Sequence, residues 1–544
     1  MTLRVFRPDG FRSTLIWSAL SLIGAGMAYF GETRLAMAGG VIVAYLAMCV
    51  GVLRAHRRRS RQVGANTVRG NADNTVVLVA YASQTGFAEQ LAVQTAQLFR
   101  RAGRVVQLES LDTLGFDALM RYNQALFIVS TTGEGDAPDN AVSFVRKVMS
   151  AGAAQSLQTL HYAVLALGDR NYRDFCAFGH MVDRWLRDRR AQSLFDLIEV
   201  NNGDPAALRL WHERLSSSAF EGGDEVLTPL SGTRWILDQR NLLNPGSAGN
   251  PAFHVCLKPD DPAALNWQPG DIAEIRPQHP EAVVAAWLRM LCLDGDTAVD
   301  CDRKIIKLSE AISTRTLPVK VDVLRGQSPQ VIVDSCEPLP SRKYSISSLP
   351  ADGRLELLVR QARYPDASSS EGIGLGLASG WLTRHAPPDA SISVRVRTNR
   401  GFHAPSDDRP LILIGAGTGL AGLRAHLKHR AECGHRRNWL IFGERSAAHD
   451  TFHADEIAHW RAAGVLERLD QVWSRDGGEY RYVHDAIRGA AGHVQQWVEG
   501  GASIYVCGSA QRMAQTVQAA LVDVIGEARV DSLREAGRYR RDVY

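Results

Sequence analysis

Residues 76–88 read VVLVAYASQTGFA. The run 76–82 is apolar and rich in β-branched residues, without the alternation of a half-exposed strand. That is the pattern of a strand buried on both faces of a parallel sheet. Ser83-Gln84-Thr85-Gly86-Phe87-Ala88 follows, and then a helical stretch from Glu89 to Arg100. Strand, hydroxyl- and glycine-bearing loop, helix is an arrangement that binds phosphate. Backbone N–H groups and the helix dipole converge on the anion, and Ser83 and Thr85 add hydroxyl donors. Alone, such a loop is weak evidence, because Ser and Thr before a helix more often only cap it.

The arrangement recurs. Residues 125–130 (ALFIVS) read as a second strand, ending in Thr131-Thr132-Gly133-Glu134-Gly135-Asp136. Residues 162–167 (YAVLAL) read as a third, ending in Gly168-Asp169-Arg170-Asn171-Tyr172. Ligands of open α/β sheets sit beyond the carboxyl ends of the strands, so three such loops can enclose a planar ring. Downstream, 410–414 (PLILI) is another buried strand, followed by Gly415-Ala416-Gly417-Thr418-Gly419 and an amphipathic helix. Leu440 to Arg445 and Ile504 to Gly508 give two more strands. A lone Gly-rich turn is a weak signal, with structural glycine as its plain alternative.

These strings carry a resemblance. SQTGFA (83–88), STTGEGDAPDN (130–140) and LGDRNYRDFC (167–176) are similar to the three flavin loops of the flavodoxin-like domain of NADPH-dependent diflavin reductases. Within that family the sulfite reductase flavoprotein and NADPH–haemoprotein reductase types are the nearest. The resemblance implies FMN held by Ser83, Gln84, Thr85, Gly86, Phe87 and Ala88. Further contacts come from Ser130, Thr131, Thr132 and Gly133, and from Leu167, Gly168, Asp169, Asn171, Tyr172, Phe175 and Cys176. Tyr172 lies against the isoalloxazine; many relatives carry a second aromatic where Thr132 stands.

Trp267 to Ile272 (WQPGDI) resembles the turn that leads into a ferredoxin-reductase-like flavin barrel. Arg342-Lys343-Tyr344-Ser345-Ile346-Ser347-Ser348 fits its R-x-Y-S-x-x-S motif. An FAD site is implied on Arg342, Lys343, Tyr344 and Ser345, with Arg342 on pyrophosphate and Tyr344 on the flavin face. Gly376, Leu377, Ala378 and Ser379 match the family's pyrophosphate loop. NADPH is expected on Gly417, Thr418 and Gly419, with Ser474, Arg475, Tyr480 and Tyr482 near the 2′-phosphate. The terminus, Tyr539-Arg540-Arg541-Asp542-Val543-Tyr544, matches the family's ending. The family arrangement groups Ser345, Cys507 and Asp542 around the transferring hydride and lays Tyr544 over the flavin. Their task is positioning, since the flavin carries the redox chemistry.

Some residues depart from the family. Tyr480 stands where a Lys is frequent, Ala421-Gly422 replaces Ala-Pro, and Ser509 replaces an Asp. The interval from Asp271 to Arg342 is about seventy residues, so the helical connecting subdomain of the large diflavin reductases is expected to be largely missing.

Charge sorts the remaining chain. The net charge is +4, yet residues 1–61 hold nine Arg against Asp9 and Glu32, a balance of +7, which leaves −3 for the rest. A nucleic-acid binder would carry its basic excess on a folded domain, so that class is excluded. The eight Cys show no CxxC and no clustering with His, so neither a disulfide framework nor a metal site is expected. Residues 13–30 and 35–53 carry no charge and are separated by Gly31 to Arg34. At about 1.5 Å per residue each nears the hydrocarbon thickness. With RAHRRRSR at 54–61, both ends of the hairpin are expected in the cytoplasm. Its second span and basic stop weigh against a cleaved signal peptide.

The reading is a multidomain α/β and β-barrel protein. A two-span anchor (1–61) and tether (62–74) precede a flavodoxin-like FMN domain (75–220). A ferredoxin-reductase-like FAD barrel (228–405) and a doubly wound NADP domain (406–544) follow. Electrons would pass from NADPH through FAD and FMN to an acceptor at the inner face of the cytoplasmic membrane. A haem protein or a ferric chelate is the preferred acceptor; a sulfite-reductase haemoprotein is the alternative, and the hairpin counts against it because that partner usually works with soluble flavoproteins. The contrasting class is a membrane redox sensor or scaffold that has lost turnover.

Overall fold

A computed structural model describes residues 76–544, apart from 134, 151–155, 171, 218–231, 302–303, 319, 367–371 and 510–512. The expected spans at 13–30 and 35–53 and the tether at 62–74 lie outside the described residues. Among the described residues no helix is long and apolar enough to cross a membrane.

The opening motif forms β1 (Val77–Ala82), with β2 (Val106–Ser110), β3 (Gln124–Ser130), β4 (His161–Gly168), β5 (Gln192–Ser193) and β6 (Ile198–Asn201). All pairings are parallel, in the order β2-β1-β3-β4-β5, with β6 also on β4. The order reverses between β1 and β3, which opens a crevice at their carboxyl ends. Val79, Leu126, Phe127, Ile128 and Leu165 are all buried, which explains the unbroken apolar runs.

The second sheet is antiparallel and built from β7 (Thr233–Leu242), β8 (Ala252–Pro259) and β9 (Ile272–Arg276). The chain then leaves it through the hairpin β10 (Ala298–Cys301) and β11 (Lys304–Lys307). It returns as β12 (Arg342–Ser345), β13 (Leu355–Arg360), the small hairpin β14 (Arg363–Pro365) and β15 (Ile373–Leu375), and β16 (Ser391–Arg397). The order β12-β9-β16-β7-β8-β13 is closed by a bridge from Ile346 to Leu357, giving a six-stranded barrel. The connecting region is small but folded: helices Glu281–Met290, Leu308–Ser313 and Pro329–Ser335 close on their own core of Trp287, Leu288, Ile312 and Ile332.

The third sheet is parallel: β17 (Leu411–Ala416), β18 (Asn438–Glu444), β19 (Leu466–Trp473), β20 (Ser503–Gly508) and β21 (Tyr539–Val543). Its order, β19-β18-β17-β20-β21, reverses between β17 and β20. A ligand crevice therefore opens beside the Gly417–Gly419 turn, where β20 ends with Cys507 and Gly508. All three sheets belong to one compact unit.

One buried charge group braces the barrel next to the flavodoxin sheet. Glu274 on β9 accepts from Arg395 Nε at 2.9 Å, Arg397 Nη2 at 2.5 Å and Ser341 Oγ at 2.5 Å. Burial alone would raise its carboxyl, but Arg397 and Arg395 outweigh that and hold it at about 2. The folded value lies below the unfolded one. The contribution is therefore complete above the ordinary carboxylate value and is lost as pH falls through about 2. Glu274→Gln would leave the buried Arg397 guanidinium uncompensated, a cost of about 3–5 kcal/mol. Calorimetry at neutral pH should show the barrel's transition moved to clearly lower temperature, with the gap to wild type closing in strong acid.

Candidate active site

Three loops converge where β1, β3 and β4 end side by side. Ser130 Oγ ties two of them, donating to the Ala82 carbonyl at 3.2 Å and accepting from Gln84 N at 3.3 Å. Thr131 N donates to the Leu167 carbonyl at 2.8 Å, and its hydroxyl accepts from Phe178 N at 3.2 Å. Ser83 N donates to Asn140 Oδ1 at 3.0 Å, while Ser83 Oγ caps the helix Phe87–Arg101 by accepting from Ala88 N at 3.2 Å. Its O–H remains available to donate. The N–H groups of Thr85, Gly86 and Phe87 have no acceptor among the described residues, and Thr132 Oγ1 is buried without a partner. This is an anion-ready helix N-terminus, and it fits the phosphate of a flavin mononucleotide.

The third loop folds back on its own strand. Gly168 permits it: a Cβ there would sit 2.9 Å from both Cys176 N and Sγ. Tyr172 is half-buried, its N–H donating to the Asp169 carbonyl at 3.1 Å, and Arg170 lies over the Phe175 ring at 5.1 Å. Asn171 lies outside the described residues. The Cys176 side chain is buried and its thiol donates inward to the Ala166 carbonyl at 3.3 Å, so the thiol itself faces away from the loop. Burial pushes the thiol up to about 12. Phe87 is half-buried, packed against the sheet core with its ring under the Arg397 guanidinium at 4.5 Å.

The second group gathers residues from two sheets. Parallel pairing of β20 with β21 sets Cys507 opposite Asp542, and β12 of the barrel brings Ser345 against both. Ser345 Oγ donates to Asp542 Oδ2 at 2.6 Å, and Cys507 Sγ lies 3.8 Å from the same oxygen and 3.9 Å from Ser345 Oγ. All three are buried. Burial raises the Asp542 carboxyl, against the opposing bonds from Ser345 and Cys507 and the charge of Lys343. Burial and the Asp542 charge drive the Cys507 thiol well above its ordinary value, so it stays neutral and is no nucleophile. Gly419 makes the packing possible, because a Cβ there would lie 2.1 Å from the Cys507 carbonyl oxygen. Tyr544 N donates to the Gly508 carbonyl at 3.1 Å, and its hydroxyl meets Thr418 Oγ1 at 3.3 Å. Tyr544 as a residue is 48% exposed beside this group.

On the preceding residues of β12, Tyr344 is half-buried and Lys343 is exposed. Arg342 is exposed and, among the described residues, donates only to the Ser341 carbonyl at 3.1 Å, leaving a guanidinium fit for pyrophosphate. Gly376 to Ala378 start a short helix, and Ser379 Oγ is already engaged by Ala362 N and the Gly376 carbonyl. At the end of β19, Ser474 N and Arg475 N bond to the Glu444 and Arg445 carbonyls, and the Arg475 side chain is exposed. Arg481 Nε donates to the Ser474 carbonyl at 3.1 Å, and Tyr482 stacks on His484. The Tyr480 ring packs on Gly489 and against the edge of the sheet core.

Two features escaped the sequence. Asp139 pairs with Arg541, and Gly86 abuts the reductase. Neither contact has a periodic or motif signal, because each joins segments hundreds of residues apart. His254, Cys256 and Glu356 also meet with metal-like spacing. Arg424 and Arg354 bond to Glu356 at 2.6 and 2.7 Å, which makes the group an ion-pair network unsuited to a further cation.

Comparison with known proteins agrees with this geometry. The flavodoxin family model matches residues 79–211, and the oxidoreductase NAD-binding domain model matches residues 413–519. The sulfite reductase (NADPH) flavoprotein alpha-component of Neisseria meningitidis serogroup B is 30% identical over 86% of this chain and 89% of its own length. The chain belongs to the NADPH-dependent diflavin reductase family. The corresponding proteins of Vibrio cholerae and Aliivibrio fischeri are 29% and 28% identical, again over 86% of this chain. As a member of the diflavin reductases the protein is an NADPH-dependent flavin oxidoreductase that uses FMN, FAD and NADPH.

Two substitutions examine the geometry. At Gly86, φ is +76° and a Cβ would fall 1.9 Å from the Thr398 carbonyl oxygen. Gly86→Ala should push the flavodoxin sheet off the reductase and slow reduction of its flavin about a hundred-fold, as ångström-scale misplacement does. Rapid-mixing absorbance with NADPH reads that step. If Tyr544 competes with nicotinamide for one flavin face, Tyr544→Ala should raise NADH relative to NADPH turnover about two- to ten-fold, the worth of an aromatic stack. An unchanged ratio in steady-state kinetics would remove Tyr544 from the site.

Proposed function

We propose that this diflavin reductase delivers single electrons to a haem protein or ferric-iron acceptor at the inner face of the cytoplasmic membrane, where the hairpin 13–30 and 35–53 holds it. The observation that supports the electron route is the contact between the β1 loop and the strand that carries Asp542. The FMN loop touches the reductase through Gly86 and Gln84, and Gln84 Nε2 donates to the Arg541 carbonyl at 3.1 Å, one residue from Asp542. When bound, the nicotinamide and flavins supply hydride acceptance at one ring and one-electron delivery from the other.

The chain supplies placement. Ser345 and Asp542 hold a short hydrogen bond where positive charge develops on the donor ring, and the buried carboxylate offers charge stabilisation there. Cys507 adds a neutral, polarisable wall. Tyr544 covers the same surface until nicotinamide takes its place. Arg475, exposed beside Ser474, suits the 2′-phosphate that distinguishes NADPH from NADH. Such intact placement speaks against a sensor or scaffold without turnover.

A second reading, the flavoprotein component of a sulfite reductase, is favoured by the names of the similar proteins. The uncharged stretches at 13–30 and 35–53 are what weigh against it. Cell fractionation separates the two. The full chain should sediment with membranes and reduce membrane haem with NADPH. Residues 62–544 alone should stay soluble, keep both flavins and still reduce ferricyanide. A full-length protein that stays in the soluble fraction and reduces a sulfite-reducing haemoprotein would support the second reading instead.

A further inference from the structure

The flavodoxin sheet meets the reductase at several charged contacts, and one of them is far more enclosed than the rest. Arg541 Nη2 pairs with Asp139 Oδ1, and Arg541 Nε donates to Asp139 Oδ2 at 3.2 Å, across 402 residues of sequence. Their side chains are only 13% and 19% exposed. Gln84 completes the contact. Its Nε2 donates to Asp139 Oδ2 at 2.9 Å and to the Arg541 carbonyl at 3.1 Å, while its Oε1 accepts from Asp139 N at 2.9 Å. Arg541 Nη1 also reaches Gln518 Oε1 at 3.2 Å. By contrast, the pairs Arg146–Glu535 and Arg400–Glu89 have mostly exposed arginines, which solvent and salt screen.

The position of Arg541 gives the contact its meaning. β21 is an edge strand, paired with β20 on one side only. Side chains alternate along a strand, so Arg541 and Asp542 point to opposite faces. When Arg541 is drawn to Asp139, Asp542 is turned toward Ser345, and the strand leads directly into Tyr544.

We propose that Arg541 is a positioning residue. Its pair with Asp139 clamps β21 while the flavodoxin sheet is docked, so that docking sets Asp542 and Tyr544 for hydride transfer and undocking relaxes them. Coupling of this kind is reciprocal: a nicotinamide that displaces Tyr544 should loosen docking to the same degree. The proposal rests on the reading of Asp542 and Tyr544 as hydride-site residues.

The test uses full-length holoenzyme carrying Asp139→Asn, Arg541→Gln or both. Stopped-flow reduction of FAD by excess NADPH and small-angle scattering are measured on each. Each single variant should slow FAD reduction about five-fold or more and enlarge the radius of gyration. The double variant should be no worse than the worse single, and Arg541→Lys should recover part of the rate. A merely local role for Asp139 would leave FAD reduction within about two-fold of wild type, and that result would overturn the proposal; so would multiplying effects in the double variant. If a variant loses flavin, hydrogen exchange on the wild-type holoenzyme decides. Amides of 539–544 and 83–90 should open together, and separate opening overturns the clamp. Ser345→Ala with unchanged FAD reduction would instead sink the hydride-site reading, while scattering and exchange still report on the clamp.

Discussion

The parallel pairing of Tyr539–Val543 with Ser503–Gly508 is the constraint on which the functional geometry depends. One register sets Cys507 beside Asp542, puts both beneath Ser345 of the barrel, and leaves Arg541 facing the flavodoxin sheet. A shift by one residue would exchange the two faces of the strand and move the carboxylate away from the serine. The register is secured by burial of Tyr505, Val506 and Cys507 on β20 and by Tyr539 at the start of β21.

The close approaches around this strand are made by residues without side chains. Gly419 lets the nucleotide turn rest on the Cys507 carbonyl, and Gly86 lets the FMN loop rest on Thr398. Burial there does more than pack. It keeps Cys507 protonated and raises Asp542, and it makes the 2.6 Å Ser345 bond electrostatically stronger than it would be in water. The chain's contribution to the reaction is thus geometric and electrostatic, in keeping with an enzyme whose cofactors hold the electrons.

Much of this was legible in the sequence, for definite reasons. Strands buried on both faces, such as Val77–Ala82 and Leu411–Ala416, announce themselves as unbroken apolar runs, and the loops at their ends follow. Ser345, Cys507 and Asp542 could be named because each sits in a string with family resemblance, and the structure brings them within hydrogen-bonding reach. Side-chain directions were less legible. A motif gives a residue's place in the chain but not the direction of its side chain. The Cys176 thiol turns to Ala166, the Phe87 ring packs under Arg397, and Tyr480 packs onto Gly489. The Asp139–Arg541 pair was invisible because a contact between distant loops leaves no periodicity. The connecting region reads as too short for the large relatives' helical subdomain, and Trp287 and Ile332 centre a small core of its own.

The central claim is that one chain brings a nicotinamide-linked flavin site and a second flavin site face to face. Rapid mixing of the full-length holoprotein with NADPH, followed by absorbance over a range of protein concentrations, tests it most directly. Transfer between the flavins should follow a first-order rate that does not change with protein concentration. A rate that rises in proportion to protein concentration would mean that electrons pass between separate molecules, and would contradict the facing arrangement.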